Sequence, residues 1–74
     1  MAKTFSGKEV VRILCRAFGF VFVSQCGSHV KLRKRVGGKV LTTIVPMHRS
    51  LVRGTLLGAL ELAEVDEEDF RKAA

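Results

Sequence analysis

Apolar positions recur along the chain with two different periods. Val10, Val11, Leu14, Ala17 and Phe18 fall at helical spacing and predict one buried helix face. Ser6 and Glu9, three residues apart, form the capping-box pair that opens such a helix, and Phe5 before the cap with Val10 after it fits a hydrophobic staple. Gly19 follows the last periodic residue, where a helix ends on a left-handed glycine. The spacing therefore predicts a helix near 7–18, with Lys8, Arg12, Cys15 and Arg16 on or near its polar side.

The period then drops to two. Phe20-Val21-Phe22-Val23-Ser24-Gln25 is aromatic and β-branched and predicts a strand, apolar on both faces at its start and so expected to lie under helices there. Gly27-Ser28 is expected to be a two-residue hairpin turn. In the next strand, His29 to Arg35, Val30 and Leu32 share one face, while His29, Lys31, Arg33 and Arg35 share the other. A second turn is centred on Gly37-Gly38, and a third strand, Val40 to Val45, is stopped by Pro46. Helical spacing returns near Arg53 or Gly54 with Leu56, Leu57, Leu60 and Ala63, and Asp66 is placed to cap a short final helix anchored by Phe70. The predicted fold class is α+β: an α-β-β-β-α two-layer sandwich with a short C-terminal helix. This is the element order of double-stranded-RNA-binding domains, with both helices on one sheet face and the other face open and basic.

The length of 74 residues allows one small domain, taken as 1–74, and 47% hydrophobic residues is too many for a disordered chain. Charge sharpens the picture. Residues 1–60 hold eleven Lys/Arg against Glu9 alone, a net of +10; residues 61–74 hold Arg71 and Lys72 against six acids, a net of −4, together +6. A basic body with an acidic tail points to a polyanionic partner, with the tail held off that surface. No helix carries a recognition face of Arg, Asn or Gln, which argues against direct DNA reading. Cys15 and Cys26 have no CxxC or His spacing around them; they read as reduced thiols, not as metal ligands. No leader-like apolar run and no membrane-length segment is present, so the expected location is cytoplasmic.

The candidate chemistry is concentrated in Gln25-Cys26-Gly27-Ser28-His29. Histidine, with an ordinary pKa of about 6.5, can move the protons that RNA cleavage by its own 2′-OH requires, and that reaction needs no metal. On residue types alone, His29 fits a polar residue at a strand edge, capping the turn, better than a catalyst. His48 reads as a loop residue after proline. Ser28 lacks the His and Asp partners of a nucleophile and suits a turn or a phosphate hydrogen bond.

Taken in order, Ser6-Gly7-Lys8-Glu9, Phe18-Gly19-Phe20, Gln25-Cys26-Gly27-Ser28-His29, Val45-Pro46-Met47-His48, Gly54-Thr55-Leu56 and Asp69-Phe70 resemble the HicA family of prokaryotic toxin–antitoxin toxins. The resemblance implies a type II toxin with a double-stranded-RNA-binding-domain-like fold, acting as an RNA endonuclease without metal or cofactor. It implies His29 as the catalytic residue and a HicB-like antitoxin as partner. Gln25, Gly27, Ser28, Lys31, Arg33, Lys34 and Arg35 are the expected RNA contacts. The alternative is a non-catalytic double-stranded-RNA-binding module. Against it, only Arg53, Gly54 and Thr55 open the second helix, where such modules place lysines to reach phosphates.

Overall fold

The computed structural model describes residues 3–74, in the order α1 (Gly7–Ala17), β1 (Val21–Cys26), β2 (His29–Val36), β3 (Lys39–Pro46), α2 (Arg53–Ala63) and α3 (Glu67–Ala73). The three strands form one antiparallel sheet in the order β1-β2-β3, with β2 central. The fold is therefore the α+β layout that the periodicities predict.

Local chemistry sets the element ends. Ser6 accepts the Glu9 N–H through its hydroxyl while the Glu9 carboxylate accepts the Ser6 N–H, both at 3.0 Å, so the capping box is complete. Those same contacts, led by the Ser6 backbone N–H, hold the Glu9 carboxyl below its usual range. At the other end of α1, Gly19 takes a φ of +76°, which a side chain would strain. In the hairpin turns Gly27 (φ +58°) and Gly37 (φ +60°) are left-handed while Ser28 and Gly38 are not. Positive φ at only the first central residue suits the type II′ turns that match strand twist. The Asp66 carboxylate accepts the Glu68 N–H at 3.0 Å and starts α3.

The core lies between the sheet and the helices. Val30 and Leu32 of β2 and Leu41 and Val45 of β3 face Val10 and Leu14 of α1, Leu56, Ala59, Leu60 and Ala63 of α2, and Phe70 of α3. Phe70 is fully buried, with its ring centroid 5.1 Å from that of Phe5 in an edge-to-face pair. Among the described residues the one buried polar side chain, Thr43, donates its hydroxyl to the Ala59 carbonyl at 2.7 Å, tying β3 to α2.

Two expectations are corrected. First, β1 begins at Val21, and all six of its residues are exposed, Val21 at 60% and Phe22 at 57%. The helices pack over β3 and against each other and stop short of this edge. Only Phe20 is buried, just before the strand, where its N–H donates to the Leu14 carbonyl. Second, Ala17 lies on the exposed side of α1, and partly buried Ile13 packs against the core instead.

Candidate active site on the open sheet face

The β2–β3 register determines what stands beside His29. Pairing puts His29 opposite Pro46, Lys31 opposite Ile44, Arg33 opposite Thr42 and Arg35 opposite Val40. Across β1, Cys26 faces His29, Ser24 faces Lys31 and, past a bulge at Val23, Val21 faces Arg33. Directly opposed residues share a face. The open face therefore carries a central row of His29, Lys31, Arg33 and Arg35 down β2.

That row is not flanked by more charge. Val21, Val40 and Ile44 are exposed on either side of it. The face expected to be simply basic is a cationic stripe between aliphatic borders. The β-branched residues satisfy strand propensity on either face, so propensity alone does not locate them; the β3 alternation, with Leu41, Thr43 and Val45 inward, does.

The other expected RNA contacts divide. Gly27 and Ser28 form the turn immediately before His29, and the Ser28 carbonyl accepts the Met47 N–H. Gln25 pairs with Val30, so it belongs to the opposite side of the strand from His29. Its side-chain amide donates to the Gly27 carbonyl at 3.0 Å and clamps the turn. Lys34 alternates with Arg33 and Arg35 and lies on the helix side. Its ammonium is 5.8 Å from the Phe20 ring centroid, and its stem passes 3.5 Å from where a Cβ on Gly19 would sit. The structure thus sets His29, Lys31, Arg33 and Arg35 on one face, with Gly27 and Ser28 in the turn at its end, and leaves Gln25 and Lys34 off it.

Gly7 lies in the Ser6-Gly7-Lys8-Glu9 motif, but its role is set by a contact the motif does not show. A Cβ there would come to within 2.0 Å of the Pro46 carbonyl oxygen, and the Gly7 N–H donates to the His48 carbonyl at 2.9 Å. The first turn of α1 is therefore seated directly on the chain that pairs with His29. No pattern of apolar residues marks such a contact; only the meeting of two backbones does. His48 is exposed, two residues beyond Pro46, at the same end of the sheet as His29.

The carboxylates hold cations away from the open face. Among the described residues Lys31, Arg33 and Arg35 enter no ion pair, whereas Glu9, Glu64, Glu67 and Glu68 each hold a cation. Glu67 accepts from both Arg53 (2.8 Å) and Arg71 (3.1 Å), and these bonds, Arg53 first, pull its carboxyl down to about 2. The same contact raises Arg53 above its usual value. Both cysteines are free; partial burial pushes the Cys15 thiol up, and Cys26 is exposed beside His29. Among the described residues no three His, Cys, Asp or Glu side chains cluster as a metal site.

An exposed histidine heads a row of unpaired cations on the uncovered face of a helix-backed three-stranded sheet, in a small α+β domain. The model of one family, described as the HicA toxin of bacterial toxin–antitoxin, matches residues 7–65, which take in α1, the whole sheet, α2 and the His29 turn. The chain belongs to the HicA toxin family. No curated protein and no solved structure matched it.

Proposed function

We propose that this toxin is an endoribonuclease that cleaves mRNA in the cytoplasm by 2′-OH attack, with His29 as its proton-transfer residue and a HicB-like antitoxin as its inhibitor. The observation that carries the reading is the position of His29 at the end of the unpaired Lys31-Arg33-Arg35 row, on the face that no helix covers. A phosphodiester lying along that row meets cations at alternate residues of a strand, about 7 Å apart, close to the phosphate spacing of an extended strand. The RNA backbone is thereby held with one phosphate at the turn.

The chemistry needs three things. The 2′-OH must lose its proton as its oxygen bonds to phosphorus; the 5′-oxygen must gain a proton as its bond to phosphorus breaks; and the dianionic intermediate must be stabilised. His29 is exposed, so its imidazole can take the first proton and, as imidazolium, return it to the 5′-oxygen as that bond breaks. Lys31 and Arg33 supply positive charge to the phosphorane, and the Ser28 hydroxyl is within the same turn to donate a hydrogen bond. A lone acid–base residue contributes roughly 10²–10⁴-fold, so the enzyme is expected to be modest in rate.

The test is the chemistry of the ends. Purified protein in chelator is expected to leave a 2′,3′-cyclic phosphate, or its hydrolysis product, and a 5′-hydroxyl. Ends of the opposite kind, or activity abolished by chelation and restored by one metal, would overturn the proton-transfer reading. Binding without cleavage under all conditions would make the chain a non-catalytic RNA-binding module.

A further inference from the structure

Strand β1 is left open in three directions. Its outer edge pairs with nothing among the described residues, because the sheet order ends on it. Both of its faces are exposed, since the helices do not reach it. Val21, Phe22 and Val23 project there with 60%, 57% and 37% of their surface accessible. Free edges are ordinarily blunted by charge or proline. Val21–Cys26 carries neither, and the bulge at Val23 is its only such device.

Such an edge invites an added strand, and its surroundings select the occupant. A second copy of this chain would bring another net charge of +6 to the same place, with Arg33 and Lys31 of each copy across from Val21 and Ser24. Like charges at that separation oppose pairing. An acidic partner reverses the sign. Its backbone can hydrogen-bond the free edge of β1, its apolar side chains can cover Phe22 and Val21, and its carboxylates can reach Lys31 and Arg33 one strand away.

We infer that β1 is the docking edge for an acidic protein partner, which extends the sheet by one strand beside Val21–Cys26 and reaches over the Lys31-Arg33 row. This rests on the antitoxin part of the reading above and is independent of the cleavage chemistry. Inhibition then follows from position: a strand added at β1 lies one strand from His29, and its side chains occupy the face along which RNA would lie.

The probe is a purified HicB-like antitoxin, titrated by calorimetry. A Val21→Thr/Phe22→Thr variant removes apolar surface while keeping strand propensity. It is expected to bind at least tenfold more weakly, whereas Val52→Thr/Leu62→Thr, which alters exposed apolar residues away from the edge, is expected to bind like wild type. Amide exchange on the wild-type complex needs no variant: backbone amides of 21–26 should become protected on binding. Undiminished affinity of the β1 variant, unprotected β1 amides, or no binding by the antitoxin would overturn the inference. A free chain that sediments as a dimer dissolved by the β1 substitutions would make a second copy the occupant and overturn it as well. None of these readouts uses RNA, so loss of the docking edge and loss of the nuclease reading are separately visible.

Discussion

The acidic corner around α3 and the open face of β2 use their charges in opposite ways. At the corner, Glu67 holds Arg53 and Arg71, Glu68 holds Lys72, and Asp66 caps the helix. On the face, Lys31, Arg33 and Arg35 stand in a row without a carboxylate between them. Paired charges of the first kind fix the position of a helix. Unpaired charges of the second kind contribute little to the fold and repel one another, and under the proposed function a polyanion neutralises them. The comparison separates what holds this protein together from what it offers to a partner.

Substitutions that break the separation should do so unequally. The largest effect is expected beneath the corner. Phe70→Ala removes a fully buried ring and its contact with Phe5, and should lower stability by about 3–5 kcal/mol in a denaturant titration. RNA binding by whatever fraction remains folded should be unchanged. Gly7→Ala comes next. Its new Cβ meets the Pro46 carbonyl, so α1 and the end of β3 must move apart, at a cost of about 1–3 kcal/mol. Because Pro46 pairs with His29, this variant should also lose cleavage at temperatures where it is still folded. Gly54→Ala, whose Cβ meets nothing, should lose neither.

A smaller effect, and of the opposite kind, is expected for Arg33→Gln. Stability should stay within about 0.5 kcal/mol, as for other substitutions of an unpaired surface charge. The dependence of log affinity on log salt for single-stranded RNA should flatten by about 0.7, the release of one counterion. Equal flattening by Arg53→Gln would erase the distinction between the two regions.

The smallest effect is a pH dependence at the corner. Glu67 titrates near 2 in the folded chain against an ordinary 4.5, because Arg53 and Arg71 favour its charged form. A lowered folded value means that the contribution is fully present above pH 4.5 and is lost as pH falls through about 2. The thermal midpoint should therefore decline across that window, and Glu67→Gln should make the decline shallower. A variant that follows the wild-type curve would show that this ion pair is screened by solvent.

Most of the framework is legible in the residues themselves. Ser6 with Glu9, Gly19, Gly27, Gly37 and Asp66 mark ends and turns by chemistry that acts within a few residues, and all are used as that chemistry predicts. The alternation of β2 likewise gives the face of His29, Lys31 and Arg33. What escapes is set at a distance. Whether Val21 and Phe22 are covered depends on where α1 and α2 come to rest, and β-branched or aromatic residues suit either outcome. Gln25 and Lys34 change meaning once register is known, one as a turn clamp and the other as a lid on Phe20. Gly7 matters through a backbone 39 positions away at Pro46, a contact that no local pattern encodes.

The central claim is that the open face binds RNA through its free cations and cuts it through His29. It is tested most directly by measuring binding and cleavage of one RNA by folded His29→Ala beside wild type. His29 is exposed and outside the core, so stability should change by less than about 1 kcal/mol. Affinity should fall only slightly, because Lys31, Arg33 and Arg35 remain. Cleavage should fall by roughly 10² or more. A folded His29→Ala that cleaves at the wild-type rate would contradict the account.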